Sequence, residues 1–313
     1  MKYNRKKIRR TGIGILAAAL AVTGIAFYCR TKEISPSEII EEAQNQEDDG
    51  NMRMHFLDVG QGSAVLVKAN GKFMMIDGGG ESAASKVTGY LKEMEAEELD
   101  YILITDYDED HLAGVVEILK NFPVSHILSP DCTSDTEVFA RYQEVIREKE
   151  IEVLHPNLGE IYSFGNTFFT IVGPAYYGHE DGRNDSLCIR LDYGDTRFLF
   201  CGDTKEAGEA ELAREALDNP EVDLQADVYA VNAHGAAGSG TEEFLNCVRP
   251  EYAVLSCGVA NEEGCPSEEV MEQLKEREIR LFRTDMQGTI EAVSDGSTVT
   301  WNMKPCNDYS WRE

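Results

Sequence analysis

The sequence predicts an α/β fold of two mixed sheets with helices outside. Three observations carry this reading. Apolar runs of strand length end on acidic or imidazole side chains, strand-period runs alternate with helix-period runs, and two turn signals join neighbouring strands. Asn70-Gly71 lies between two alternating runs and marks a tight hairpin, because both residues tolerate the positive φ that such a turn needs. Gly194-Asp195 marks a second hairpin. Strands are expected near 53–59, 63–68, 72–77, 101–105, 126–128, 152–154, 167–172, 187–192, 196–201, 228–231, 252–256, 280–283, 288–294 and 298–303. Helices are expected near 82–94, 111–121, 137–149, 205–217, 241–249 and 267–277. Hairpins joined by αβ crossovers suit layered sheets covered by helices. No internal repeat is visible.

The segment Thr105-Asp106-Tyr107-Asp108-Glu109-Asp110-His111 says most about function. It follows the apolar run Tyr101-Ile102-Leu103-Ile104 and precedes an amphipathic run from Leu112 to Lys120. Asp106, Asp108, Asp110 and His111 therefore share one turn at the carboxyl end of a strand, the edge where α/β sheets bind ligands. A cation would offset the repulsion of so many acids. A solvated acidic loop that caps the following helix is the plainer alternative, since the helix dipole favours acids there. Two further strand ends favour the metal. Phe198-Leu199-Phe200-Cys201 closes on Gly202-Asp203, and Asp227-Val228-Tyr229-Ala230-Val231 closes on Asn232-Ala233-His234-Gly235.

The ordered set Phe56-Leu57-Asp58-Val59-Gly60-Gln61-Gly62, Met75-Ile76-Asp77-Gly78-Gly79, the acidic-His turn, Gly202-Asp203 and His234-Gly235 resembles the metallo-β-lactamase superfamily. The opening F-L-D-V-G-Q-G is similar to the extracellular domain of ComEC, the DNA-uptake channel of naturally competent bacteria. The resemblance covers about residues 52 to 303. It implies an αββα sandwich. It also implies one metal position with Asp110, His111 and His234, Asp203 placed to bridge, and a second position with Asp106 and Asp108. Asp110 and Asp203 are the expected catalytic pair. Asn184 and Ser186, in a segment that resembles the N-x-S-L stretch of ComEC-like proteins, are the expected substrate contacts, with Asn184 or Asp185 alternatives for the second metal position. The superfamily pattern is H-x-H-x-D-H and the ComEC-like form H-x-D-x-D-H, so Asp108 fits that branch while Asp106 departs from both, and Ala233 and Ala236 replace a His and a Ser of the later motif.

Carboxylates favour harder ions, whereas imidazole-rich sites suit zinc. The expected cofactor is therefore one or two divalent ions, with Mn²⁺ preferred over Zn²⁺. Two ions about 4 Å apart clamp a phosphodiester. No Ser-His-Asp or Cys-His arrangement offers a competing chemistry. Gly78-Gly79-Gly80 reads as a turn, because no phosphate-loop lysine pattern follows it.

Residues 1–10 hold six basic side chains, and an uncharged run of 19 residues follows from Thr11 to Cys29. At about 1.5 Å per residue such a helix spans a bilayer core. The basic flank should stay cytoplasmic, which places the bulk of the chain outside a plasma membrane crossed once. A cleaved signal peptide is the rival reading, but no A-x-A site follows the run. Residues 30–51 read as an acidic linker, 52–303 as the metallo-β-lactamase-like domain and 304–313 as a tail.

Charge leaves long nucleic acid an open partner. The first 30 residues hold seven of the 29 Lys and Arg and none of the 57 Asp and Glu, so the remainder carries 22 bases against 57 acids. DNA is bound mainly by Lys and Arg at its phosphates, and a body this acidic repels a polyanion. Metals or a local basic patch could still hold one, so chain fragments, small phosphoesters or another ester are as plausible as long DNA. The eight cysteines form no C-x-x-C pair. Cys188 and Cys201 are expected as buried thiols, and Cys257 and Cys265 as the best candidate disulfide. His55, His126 and His155 read as structural, while His179 is a mild candidate for substrate contact.

Two function classes follow. One is a membrane-anchored extracellular metal-dependent hydrolase of phosphodiesters. The other is a catalytically weakened relative that serves as a binding or assembly module, for which the changes at Asp106, Ala233 and Ala236 speak.

Overall fold

The computed structural model describes residues 50–311 apart from 221, 260 and 262. The expected anchor at 11–29 and most of the expected linker lie outside the described residues. Among the described residues, no helix is long and apolar enough to cross a membrane.

In chain order the first half gives β1 (Met52–Phe56), β2 (Val65–Ala69), β3 (Lys72–Ile76), α1 (Ala84–Glu93), β4 (Leu99–Leu103), α2 (Glu109–Asn121), β5 (Val124–Leu128), α3 (Glu137–Lys149) and β6 (Val153–Leu154). The second half gives β7 (Ile161–Phe164), β8 (Thr167–Gly173), β9 (Cys188–Tyr193), β10 (Thr196–Phe200), α4 (Glu206–Asp218), β11 (Val228–Ala230), α5 (Glu242–Val248), β12 (Tyr252–Leu255), α6 (Glu268–Glu276), β13 (Arg280–Arg283), a one-turn α7 (Thr284–Gln287), β14 (Ile290–Ser294) and β15 (Val299–Trp301). These pair into one sheet in the order β15-β14-β1-β2-β3-β4-β5-β6 and another in the order β13-β12-β11-β10-β9-β8-β7. Both are mixed: β1, β2 and β3 are antiparallel, whereas β3 through β6 are parallel. In the second sheet β10 through β13 are parallel.

Strand alternation explains the layering. Met54, Phe56, Val65, Val67, Met74 and Ile76 point inward from the first sheet and pack on Phe169, Ile171, Ile189, Phe198 and Phe200 of the second. Phe56 is fully buried and stacks on Phe200 at 6.2 Å, a contact between the sheets. Truncating such a ring costs about 3–5 kcal/mol. The opposite face of the first sheet, with Leu66, Met75, Ile102 and Ile127, meets the apolar stripes of α1, α2 and α3. The outer face of the second sheet, with Leu199, Tyr229, Ala253 and Leu281, meets α4, α5 and α6. Caps fix two of these helices: Thr136 Oγ1 accepts from Phe139 N before α3, and Ser267 Oγ accepts from Val270 N before α6.

The hairpin signals are realised. Asn70 and Gly71 both have positive φ, as the two-residue turn requires, and Gly194-Asp195 joins β9 to β10. Sequence reading passes over β7, a four-residue strand with Ser163 in its middle, and over the single turn of α7.

Candidate metal centre

The parallel strands of both sheets deliver their carboxyl ends to one place. Asp77 follows β3 and the 105–111 turn follows β4. Gly202-Asp203 follows β10, the 232–235 turn follows β11 and Ser256 follows β12. Two groups of ligand-type side chains result, Asp110–His111–His234 and Asp106–Asp108–Asp203, and within each group the donor atoms lie within 4.8 Å of one another. Asp203 stands between the groups, with Oδ1 3.2 Å from His111 Nε2 and 3.5 Å from His234 Nε2. Asp110 Oδ2 lies 3.2 Å from His234 Nε2.

Both imidazoles are buried and fixed from behind. His111 Nδ1 donates to Asp77 Oδ2 at 2.9 Å, and His234 Nδ1 donates to the Ser256 carbonyl at 2.9 Å. Since those partners accept, the proton sits on Nδ1 in the neutral ring and the Nε2 lone pair faces the centre, the arrangement of a metal-binding histidine. His234 Nε2 is buried and faces only the carboxylates of Asp110 and Asp203, at 3.2 and 3.5 Å, the side on which a cation would sit. Asp77 is itself clamped by the Thr105 N–H at 2.8 Å and the Thr105 hydroxyl at 2.7 Å. Sequence reading gave Asp77 no role, although it closes an apolar strand just as Asp203 does.

The carboxylate group is held differently. Asp106 Oδ1 accepts from Asp108 N at 2.7 Å, and Asp106 Oδ2 accepts from Ser186 Oγ at 3.3 Å. Ser186 Oγ also accepts from Asp203 N at 3.2 Å and, in its shorter contact, donates to the Arg183 carbonyl at 2.6 Å, so Ser186 joins the Arg183 and Asp203 turns beside Asp106. Asp108 is half-exposed, with Oδ2 3.7 Å from Arg183 Nε.

Charge within the centre is tightly balanced. Burial raises Asp106 to about 7, aided by Asp203 and Asp108 and opposed by His111. Burial works against ionised Asp203, but His111 and His234 hold its carboxyl well below the usual range. Burial also opposes protonation of His111, yet Asp77, Asp203 and Asp106 raise it well above an ordinary histidine. The same contest, with Asp203 and Asp110 as the opposing acids, raises His234. A divalent ion supplies the positive charge that protons otherwise supply to such a cluster, so the donor set fits one.

The local backbone is shaped for this purpose. Ala233, His234 and Gly235 all have positive φ, with Ala233 at 47° and His234 at 53°. Two adjacent non-glycine residues there are strained. Glu209 compensates: buried on α4, it accepts from Asn232 Nδ2, Gly240 N and Thr241 N at 2.9, 2.7 and 2.7 Å and so holds the loop that carries His234. On the other side, Ser63 N donates to the Asp110 carbonyl, and a Cβ on Gly62 would collide with that oxygen. This close approach accounts for the glycine in the Gly60-Gln61-Gly62 signature. Gln61 then bridges outward, accepting from Gly258 N and donating to Glu263.

Asn184, Asp185 and His179 make further contacts. Asn184 turns its side-chain oxygen to the backbone N–H groups of Lys205 and Gly208, both at 3.0 Å, where it anchors the start of α4. Asp185 receives Gly178 N and pairs with His179 Nδ1 at 2.6 Å, and Glu211 takes His179 Nε2 at 3.0 Å. The His179 ring is thus engaged at both nitrogens. The expected Cys257–Cys265 disulfide is not formed. Cys257 is packed in the core beneath α5 and α6, while Cys265 Sγ lies 3.9 Å from the Ala233 carbonyl. Cys188 and Cys201 are buried thiols as expected.

Comparison with known proteins agrees with this architecture. The family model described as metallo-beta-lactamase superfamily matches residues 57–259. ComE operon protein 3 of Bacillus subtilis (strain 168) is 25% identical over 272 residues, covering 81% of this chain and 34% of that protein. Competence protein ComA of Neisseria gonorrhoeae is 27% identical, covering 75% and 31%. Recombination protein 2 of Haemophilus influenzae is 28% identical, covering 75% and 28%. The chain thus spans about a third of the length of these relatives. Among solved structures, CmlA, a diiron beta-hydroxylase from Streptomyces venezuelae, superposes with a TM-score of 0.51 at 16% identity, covering 76% of this chain and 53% of that one. At that identity the likeness speaks for the fold. With two mixed sheets, ligand-type residues at their shared edge and a family match across most of the domain, the chain belongs to the metallo-β-lactamase superfamily, and its competence-protein relatives are ComEC-like.

Proposed function

We propose that this protein is a membrane-anchored, extracellular, metal-dependent hydrolase of phosphodiesters. The observation that carries the reading is the pair of ligand groups that share Asp203 as a neighbour at one sheet edge. Asp110, His111 and His234 would hold one divalent ion, and Asp106, Asp108 and Asp203 a second. The all-carboxylate second group supports Mn²⁺ over Zn²⁺. When bound, such ions polarise a phosphoryl oxygen and lower the pKa of water. The chain does the rest. Asp77 and the Ser256 carbonyl orient the two imidazoles, and Ser186 spaces Asp106 from Asp203. Asp110 and Asp203, both at the junction of the groups, would accept a hydrogen bond from the attacking water and orient it.

The address rests on the basic flank and the uncharged run at 11–29. The competence names of the relatives support DNA-derived material as the source of substrate. The test is turnover of bis(p-nitrophenyl) phosphate by the full chain with Mn²⁺, Mg²⁺ or Zn²⁺. Hydrolysis that is greatest with Mn²⁺ and absent in His111→Ala is expected. Full metal loading without turnover by any ion would overturn the hydrolase and select the binding or assembly module. Ala233 favours that second reading, because a small apolar side chain there leaves His234 as the single imidazole of its turn.

A further inference from the structure

A cleft of about 570 Å³ opens beside the Asp106–Asp108 half of the centre, within the roughly 300–1,000 Å³ typical of small-molecule sites. One wall is the 181–186 turn and the other is the 130–135 loop that follows β5. Five aspartates line it, against a single basic side chain, Arg183. The backbone of Arg183 is fixed: its carbonyl accepts Ser186 N and Ser186 Oγ, and its N–H is capped by Asp181. Its head is not, since the side chain is 43% exposed and only loosely paired with Asp108 at 3.7 Å. A fixed backbone with an exposed guanidinium beside a candidate metal centre suits capture of an anion. Two other basic groups are paired away from the cleft, Lys86 with Asp58 at 3.2 Å and Arg141 with Glu81 at 2.8 Å, and Lys205 does not line it.

We infer that this cleft is the substrate subsite and that it takes a compact ligand with one phosphodiester, whose non-bridging oxygen Arg183 binds. The inference rests on the phosphodiesterase reading and narrows it. When ions engage Asp108, its claim on Arg183 weakens and the guanidinium can turn to the phosphate, for which its fork of donors is matched. One phosphate is the limit because of the walls. Asp135 and Asp181 also line the cleft, so a second phosphate on a longer chain would meet carboxylates rather than a cationic track. Proteins that follow a strand need a basic groove and show a steep salt dependence, and this cleft has the opposite charge.

The test uses the full chain loaded with Mn²⁺. Its ligands are thymidylyl-thymidine, the neutral methylphosphonate analogue of that dinucleotide, and a ten-residue oligothymidylate. Binding is read by calorimetry and turnover by chromatography of the same samples. The charged dinucleotide should bind about 10–100-fold more tightly than the neutral one, the range expected for a charge-assisted hydrogen bond. Arg183→Gln should erase that preference and raise KM more than it lowers kcat, with metal content unchanged. Arg183→Lys should keep part of the preference. The oligomer should bind no more tightly per site than the dinucleotide. Equal binding of charged and neutral ligands by the parent would overturn the subsite, as would an unchanged preference in Arg183→Gln or affinity that climbs with chain length. If the preference is present but nothing is cleaved, the subsite stands and the hydrolase reading falls. If the dinucleotide is cleaved while Arg183→Gln changes nothing, the reverse holds.

Discussion

The two halves of the centre differ in what holds them. In the Asp110–His111–His234 half, both rings are buried and each is fixed by an acceptor behind it, Asp77 or the Ser256 carbonyl. In the Asp106–Asp108–Asp203 half there is no imidazole, and Asp108 is half-exposed at the mouth of a cleft. The first half is built into the fold by hydrogen bonds from two sheets. The second is a cluster of acids whose repulsion is tempered by Ser186, by a backbone N–H and by Arg183. Rigidly held imidazoles select an ion by geometry, whereas crowded carboxylates select it by charge and hardness. The first half should therefore set whether metal is held at all, and the second should set which metal.

The largest expected effect comes from His111→Ala. It removes a donor and leaves Asp77, Asp110 and Asp203 facing one another. We expect loss of metal at that half and a fall in activity of more than about a hundredfold, since removal of an outer partner alone costs about 10–100-fold. Full metal and full rate in this variant would remove the basis for the assignment. Asp77→Asn comes next. It keeps the shape but weakens the acceptor behind His111, and metal affinity should drop about 10–100-fold with the fold intact. A variant whose affinity is unchanged would show that the Asp77 contact is packing only.

Ion choice tests the second half. Mn²⁺ should raise the melting temperature more than Zn²⁺. At a hundredfold excess over Kd a bound ion stabilises by about 2.7 kcal/mol, which is roughly 5–10 °C for a domain of this size. Asp106→His should shift the preference toward zinc. Greater stabilisation of the parent by zinc would contradict the hard-donor argument.

The smallest effect lies away from the centre, at His179. Burial opposes its charge, but Asp185 and Glu211 at its two nitrogens raise its pKa above the usual value. Its contribution to stability is therefore complete below the unfolded histidine value of about 6.5 and declines as pH rises through the higher folded value. The melting-temperature gap between the parent and His179→Gln should be a few degrees in mild acid and shrink toward alkaline pH. A gap that widens with pH would mean that the neutral ring, not the charged one, does the holding.

Much of this was legible in the sequence because the fold puts its chemistry at strand ends. An apolar run that closes on Asp or His is visible in one dimension, and Asp106, Asp108, Asp110, His111, Asp203 and His234 all announce themselves that way. Asp77 obeys the same rule and was passed over because its turn, rich in glycine, reads as a connection. What the sequence hides is side-chain direction. Asn184 and Ser186 are two residues apart, yet one anchors a helix and the other joins the Arg183 and Asp203 turns beside Asp106. The separation of Cys257 from Cys265 is hidden in the same way, since a short loop does not reveal that one thiol turns into the core. Arg183 carried no signal at all, because its meaning comes from the aspartates that the fold gathers around it.

The central claim is that the two ligand groups hold divalent metal, and elemental analysis tests it most directly. The full chain is purified without a metal-binding tag, exposed to Mn²⁺ and to Zn²⁺ in excess, and freed of loose ions. At least one tightly held ion per chain is expected, and its loss in His111→Ala. No retained metal under saturating supply of either ion would contradict it.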